Sequence, residues 1–237
     1  MKKKVLAIAL AVALIAIMVS GTLAYFTDND EVTNTFTVGS VRIDIYENDD
    51  ATDEAVRPMG KLTPVVSATP SEDESYIAKV VDVKNTGLND AYIRLHIAQP
   101  VELLGYLELE MDTTGWQRVA TTYETVGTQE YIVVTYDFQT PVAPGEFTSE
   151  LLKGAYLAAD VDLKENADGD LEFCKPDGNG GFTFSGFVAH KANGDGTYTS
   201  EAVIVLIAAE AIQAEGFSDA TTALNSGFGE NTNPWQE

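Results

Sequence analysis

Few residues in this chain are of types that do chemistry, and they are widely spaced. The single cysteine, Cys174, has no partner for an intramolecular disulfide, and neither His96 nor His190 stands beside it in a nucleophile and base pattern. Cys174 therefore reads as a buried or incidental thiol. The H-E-x-x-H pattern that sets two zinc ligands and a base on one helix face does not occur, nor does a G-x-S-x-G nucleophile elbow. The expectation is that the chain is not an enzyme. What remains is oxygen chemistry in three Gly/Asp/Asn turns, at 166–170, 177–181 and 193–196. Their carboxylates, Asp168, Asp170, Asp177 and Asp195, would suit a hard cation such as calcium. The same turns also read as plain hairpin turns, and none completes an EF-hand loop with its twelfth-position Glu.

Composition sets the background for these groups. The chain has 237 residues, 45% of them hydrophobic, and a formal net charge of −23. So negative a surface repels nucleic acid and anionic membrane, which removes both as partners. Its length past the leader suits one large β domain with a proper core.

The first residues read as a cleaved targeting signal, the alternative being an uncleaved N-terminal anchor. Lys2, Lys3 and Lys4 precede fifteen unbroken apolar residues, Val5 to Val19, and then Ser20, Gly21 and Thr22 end any helix. A membrane span needs about 20 apolar residues, so the run reads as the hydrophobic region of a signal peptide. Thr22 and Ala24 provide the small −3 and −1 residues, which places the cut after Ala24. The mature chain then starts at Tyr25, with residues 1–24 as signal peptide and no stable membrane span left after cleavage.

Leu-Ala-Tyr-Phe-Thr-Asp (23–28) followed by Asn-Thr-Phe-Thr-Val-Gly-Ser-Val (34–41) resembles the N-terminus of the TasA and camelysin family. Three further stretches resemble the same group: Lys84-Asn-Thr-Gly-Leu-Asn-Asp-Ala-Tyr-Ile-Arg, Ala143-Pro-Gly-Glu and Glu210-Ala-Ile-Gln-Ala-Glu-Gly-Phe. The resemblance implies an exported biofilm-matrix protein whose leader is removed by a SipW-type signal peptidase. It also implies a jelly-roll-like sandwich and a fibre in which the mature N-terminal strand of one subunit completes the sheet of the next. The partners would be further copies of the chain and, beyond them, other matrix components; the location would be the extracellular matrix or cell surface. Camelysin-related sequences have also been described as metallo-endopeptidases, and a surface adhesion domain that does not polymerise is a further alternative.

The residues of 25–40 suit donation. Phe26, Val32, Phe36 and Val38 share one strand phase with Asp28, Asp30 and Asn34, so the apolar anchors sit at both ends of an acidic middle. Such a segment is poorly satisfied within its own subunit. Burying its four anchors would contribute at most roughly 6–10 kcal/mol before entropy is subtracted.

The elements that must position these groups follow from period-two patterns. Residues 41–227 read as an all-β antiparallel sandwich with a loop at 48–74 and a β-rich insertion at 164–200, followed by a frayed tail at 228–237. Val41 to Glu47 is a half-buried strand. Ser75 to Asn85 and Ala91 to Ala98 are strands joined by an Asn-Thr-Gly turn, expected as an antiparallel pair, with Ile93, Leu95 and Ile97 inward and Tyr92, Arg94 and His96 on the wet face. Val101 to Met111 reads either as a short helix or as an irregular insertion. Trp116 to Tyr123 and Glu130 to Phe138 make a hairpin. The insertion is expected as a small meander within the main sheet. Glu201 to Ala214, apolar on both faces, reads as a central strand covered on both sides. Ser218-Asp219 then caps a short C-terminal helix reaching Leu224.

Overall fold

A computed structural model describes residues 27–30, 41–47, 50–51, 63–230 and 233–235. The chain forms fourteen strands among these residues. The first six are β1 (Thr27–Asp30), β2 (Ile43–Glu47), β3 (Asp50–Ala51), β4 (Ile77–Asn85), β5 (Ala91–Pro100) and β6 (Leu107–Met111). Next come β7 (Trp116–Val126), β8 (Gln129–Phe138), β9 (Leu152–Leu157) and β10 (Asp162–Glu165). The last are β11 (Leu171–Pro176), β12 (Phe182–Ala192), β13 (Tyr198–Ser200) and β14 (Leu206–Gln213), followed by one helix, α1 (Ala220–Phe228).

Two five-stranded antiparallel sheets, ordered β1-β14-β5-β8-β7 and β3-β2-β4-β9-β6, face each other. The main core lies between them, built from Ile43, Val81, Val83 and Leu152 on one side and Ile93, Leu95, Ile97, Ala209 and Ala211 on the other. The all-β sandwich with a short C-terminal helix is therefore as expected. Its connections repeatedly cross from sheet to sheet, at β4–β5, β5–β6, β6–β7 and β8–β9, in the manner of a jelly roll. The β7–β8 hairpin forms as predicted, around Gly127 with its φ of 64°.

Several expectations are corrected. β4 and β5 are not a hairpin pair, for they lie in opposite sheets and Thr86–Asp90 is the crossover between them. An Asn-Thr-Gly turn specifies a reversal; which sheet the returning strand joins depends on long-range pairing. Val101 to Met111 splits into a 3₁₀ turn at Val101–Leu103 and the edge strand β6. The insertion forms a sheet of its own, β10-β11-β12-β13, outside the main sheet. It packs through Phe173 and Ala189 on Leu103, Leu107 and Leu157 of the sandwich. The helix extends past Leu224 to Phe228, and Trp235 is folded onto Ala98, Tyr131 and Val133, so the described part of the tail is not frayed.

That tail decides the fate of β5. All ten of its residues are buried, because α1 covers the outer face at Tyr92 and Ile212 while Trp235 covers it at Ala98. His96, expected in solvent, is 1% exposed. Its strand alternates as predicted, but both faces are dry.

α1 is capped as expected. The Asp219 carboxylate accepts from the Thr222 amide at 2.8 Å, and that hydrogen bond holds its pKa below the usual carboxylate value. A depressed folded pKa means the cap's contribution is complete above the unfolded carboxyl pKa, about 4, and is lost as pH falls through the folded value. Melting temperatures of wild type and Asp219→Ala should therefore differ most at neutral pH and converge below about pH 4. A gap that stays constant down to pH 2 would refute this role.

Candidate functional site

The candidate site is an edge of the first sheet. β14 carries a near-continuous apolar sequence because it is covered on both faces, and in the sheet it pairs with β5 over its whole length, Leu206↔Ala98 to Gln213↔Ala91. Its other side pairs, among the described residues, with β1 from Thr27↔Ile212 to Asp30↔Ala209. A strand of the hydrophobic core thus has its outer row of amides and carbonyls capped by a short segment from the far end of the chain. Four residue pairs form a weak ladder, since isolated strand pairs are marginal without a face to bury.

β1 enters at one pole of the sandwich, and that pole is built around Asn85. Its side chain is fully buried and every polar atom is used: Nδ2 donates to the Asn89 and Val142 carbonyls, both at 2.8 Å, and Oδ1 accepts from the Gly87 amide at 2.9 Å. Its backbone N–H donates to the Glu146 carbonyl, and its carbonyl accepts from the Gly145 amide. Ala214 closes the arrangement by donating to the Asp90 carbonyl at 2.8 Å. The three interior stretches that carry the family resemblance, 84–94, 143–146 and 210–217, therefore meet at the end of the molecule where β1 begins. Leu88, at the tip of the crossover, is 81% exposed.

Behind the β14 edge, on the face under α1, lies a buried polar cluster. Arg94 of β5 donates to both carboxylate oxygens of Asp137 on β8, at 2.7 and 3.1 Å. The same guanidinium donates to the side-chain oxygen of Asn225 and the carbonyl of Gly229, which ties α1 to the sheet. Glu210 of β14 brings a carboxylate oxygen to 3.3 Å from His96 Nε2 and 4.0 Å from Arg94. The other ring nitrogen of His96 lies 3.0 Å from the Thr135 hydroxyl. One cation and two carboxylates are thus held in a dry site, where each is tolerated only because its partners are in place. Sequence reading missed this cluster. The signal available was Glu210 itself, an acid inside the most apolar stretch of the chain, and a charge in that position implies a buried partner.

The residues singled out from sequence are dispersed. Thr22, Ala24 and Tyr25 of the cleavage site, and the anchors Phe26, Val32, Phe36 and Val38, lie outside the described residues. Asp168 and Asp170 stand in the β10–β11 turn, Asp177 in β11–β12 and Asp195 in β12–β13. Asp177 accepts from the Asn179 and Gly181 amides, which hold its carboxyl below the usual range, and Thr197 does the same for Asp195. Asp170 accepts from the Ala192 amide at 2.7 Å. Among the described residues no three His, Cys, Asp or Glu side chains gather as metal ligands would. Cys174 is buried, as read, and burial pushes its thiol pKa up. Among the described residues no helix is long and apolar enough to cross a membrane.

Residues 1–59 match the family model of camelysin metallo-endopeptidase. The N-terminal part of the chain is similar to that family. The resemblance read from 23–41 is thereby supported. No curated protein matches the chain. The described part of the camelysin-like segment is β1, β2 and β3, and these strands stand together along one side of the sandwich, β1 at the edge of one sheet and β3-β2 at the edge of the other. The family's name implies a catalytic metal, and the described residues do not fit one. His96 is enclosed between Thr135 and Glu210 beneath α1, whereas His190 lies on the separate small sheet, 2.9 Å from the Ser200 hydroxyl.

Proposed function

We propose that this camelysin-like protein is a secreted structural subunit of an extracellular matrix fibre, growing by transfer of its mature N-terminal strand to the next copy. The observation that carries the reading is β1 itself: a strand at a sheet edge, covering a strand that belongs to the core. If β1 leaves, β14 presents an open row of backbone donors and acceptors, and the same segment of another copy restores the same bonds. Exchange of one identical ladder for another costs little enthalpy, and a head-to-tail transfer does not close on itself, so it makes filaments. Removal of the leader after Ala24 by a SipW-type peptidase is the switch, because the end must be free before it can reach a neighbour. The reading includes no catalytic step.

Negative-stain electron microscopy of protein starting at Tyr25, beside protein starting at Ser40, tests it. Filaments from the first and none from the second are expected. Monomers from both, in acid and with calcium as well as at neutral pH, would reject strand transfer and leave β1 as an ordinary intramolecular strand.

A further inference from the structure

Natural sheets guard their edges with short strands, charge or proline, because an exposed edge is a template for another chain. In this protein the guards are visible at almost every edge. Among the described residues β1 has four (TDND), β3 two (DA), β6 five (LELEM), β10 four (DLKE) and β13 three (YTS). All but β13 carry acids, which repel another acidic chain. β7 is the exception. It is an edge strand of eleven residues, WQRVATTYETV, without proline or lysine. Its one irregularity, between Arg118 and Ala120, lies near its start and leaves Ala120–Val126 regular.

The chemistry of that regular segment differs from the rest of the surface. Over the whole chain 37 acids oppose 14 Lys and Arg. From Ala120 to Val126 the one charge is Glu124, whose carboxylate already accepts from Asn233, and exposed Arg118 stands beside the segment as a counter-charge. The remaining residues are Ala, Thr, Tyr and Val, a β-prone, low-charge composition suited to strand pairing. Two copies of a strongly acidic protein meet least repulsion here.

Backbone geometry says which groups are offered. The two-residue turn Gly127-Thr128 makes Val126↔Gln129 a hydrogen-bonded pair, and bonding alternates along the ladder from there. Thr122, Glu124 and Val126 then bond inward to β8, while Thr121, Tyr123 and Thr125 direct their N–H and C=O groups away from the sheet. Tyr123 is 61% exposed.

We infer that the outer edge of β7 pairs antiparallel with β7 of a second copy of this chain, joining two molecules about a two-fold axis. The contact is isologous, so it closes on itself and links chains, or two fibres, side by side. It lies on the opposite side of the sheet from β1 and does not rest on strand transfer.

The full chain, exported and purified from the medium, is tested as Tyr123→Cys with a short bis-maleimide, read on a boiled denaturing gel. Cys174 is buried and does not compete. Cross-linked dimer at least about tenfold above that of Leu88→Cys, whose site is the more open of the two, is expected. Equal yields would overturn the inference. Tyr123→Pro removes an outward N–H and no β8 bond, so it should abolish the two-fold species in sedimentation, whereas Tyr123→Phe should keep it. Thr121→Lys, which adds charge without constraining the backbone, should act like the proline. Retention of the dimer in both the Pro and Lys variants would also overturn it. Fibres without the cross-link would refute the β7 contact alone, and the cross-link without fibres would refute strand transfer alone.

Discussion

Asp137→Ala is expected to lower unfolding free energy by about 3–5 kcal/mol, the usual result of removing one partner of a buried ion pair. Domains of this kind have roughly 5–15 kcal/mol in total, so the variant should be marginal at best. The cause is what remains. Arg94, 1% exposed, would keep its bonds to Asn225 and Gly229 but lose both bonds to a carboxylate that is itself fully buried. Water cannot reach the guanidinium without lifting α1 from Tyr92 and Ile212. Urea unfolding followed by tryptophan fluorescence checks this, since Trp116 lies in the main core and Trp235, in the tail, packs on Ala98, Tyr131 and Val133. A loss below about 1 kcal/mol, the range of exposed pairs, would show that the cluster is far wetter than described. The triple variant Arg94→Met, Asp137→Leu, Glu210→Gln, which removes every charge Arg94 holds or leaves behind, should recover much of the loss, because replacing a buried ion pair or triad by uncharged groups is often neutral. Recovery would assign the cost of the single variant to the stranded charge.

The second large effect concerns strand transfer. Asp28 and Ala211 are register partners in β1 and β14, and directly opposed residues of an antiparallel pair have Cα atoms about 4.5–5.5 Å apart, within disulfide range. Asp28→Cys with Ala211→Cys should therefore lock β1 onto its own subunit when oxidised. Cys174 is buried and leaves the pairing unambiguous. Oxidised protein starting at Tyr25 is expected to remain monomeric and, on addition of dithiothreitol, to grow filaments at the unlocked rate. The effect is close to all-or-none because a covalent clamp removes the open state instead of shifting its population. Filament growth that is equally fast in oxidised and reduced protein would show that β1 need not leave.

Both results bear on how far the sequence could be read. Alternation in Ala91–Ala98 correctly separates Ile93, Leu95 and Ile97 from Tyr92, Arg94 and His96, because a pleated strand sends successive side chains to opposite faces. It does not reveal which face is wet. Arg94 and His96 are buried by a helix more than a hundred residues away, and no local pattern records that cover. The reading of Glu201–Ala214 as a covered strand holds for Leu206–Gln213, since a strand dry on both faces loses its polar phase, but Glu201–Val205 lie outside the strand and Glu201 and Ala202 are exposed. The Asn85-Thr-Gly87 turn misled because turn chemistry specifies a reversal and not a partner. The three Gly-rich turns of 164–200 correctly gave a meander, while its separation from the main sheet depends on Phe173 and Ala189 finding Leu103, Leu107 and Leu157.

By itself the sequence determined the all-β class, the acidic surface, the capped C-terminal helix, the β7–β8 hairpin and the camelysin-like N-terminus. Each of these is encoded within a few neighbouring residues, by period, turn type, capping side chain or net charge. Tertiary structure alone decided that Arg94, Asp137, Glu210 and His96 share one dry site, and that stretches around 84, 143 and 210 meet where β1 enters. It alone decided, too, that β7 is the one long edge without a guard among the described residues. These are relations between distant segments, fixed by which strands pair and what covers them, and pairing is selected by the burial of the whole sandwich and not by any one strand.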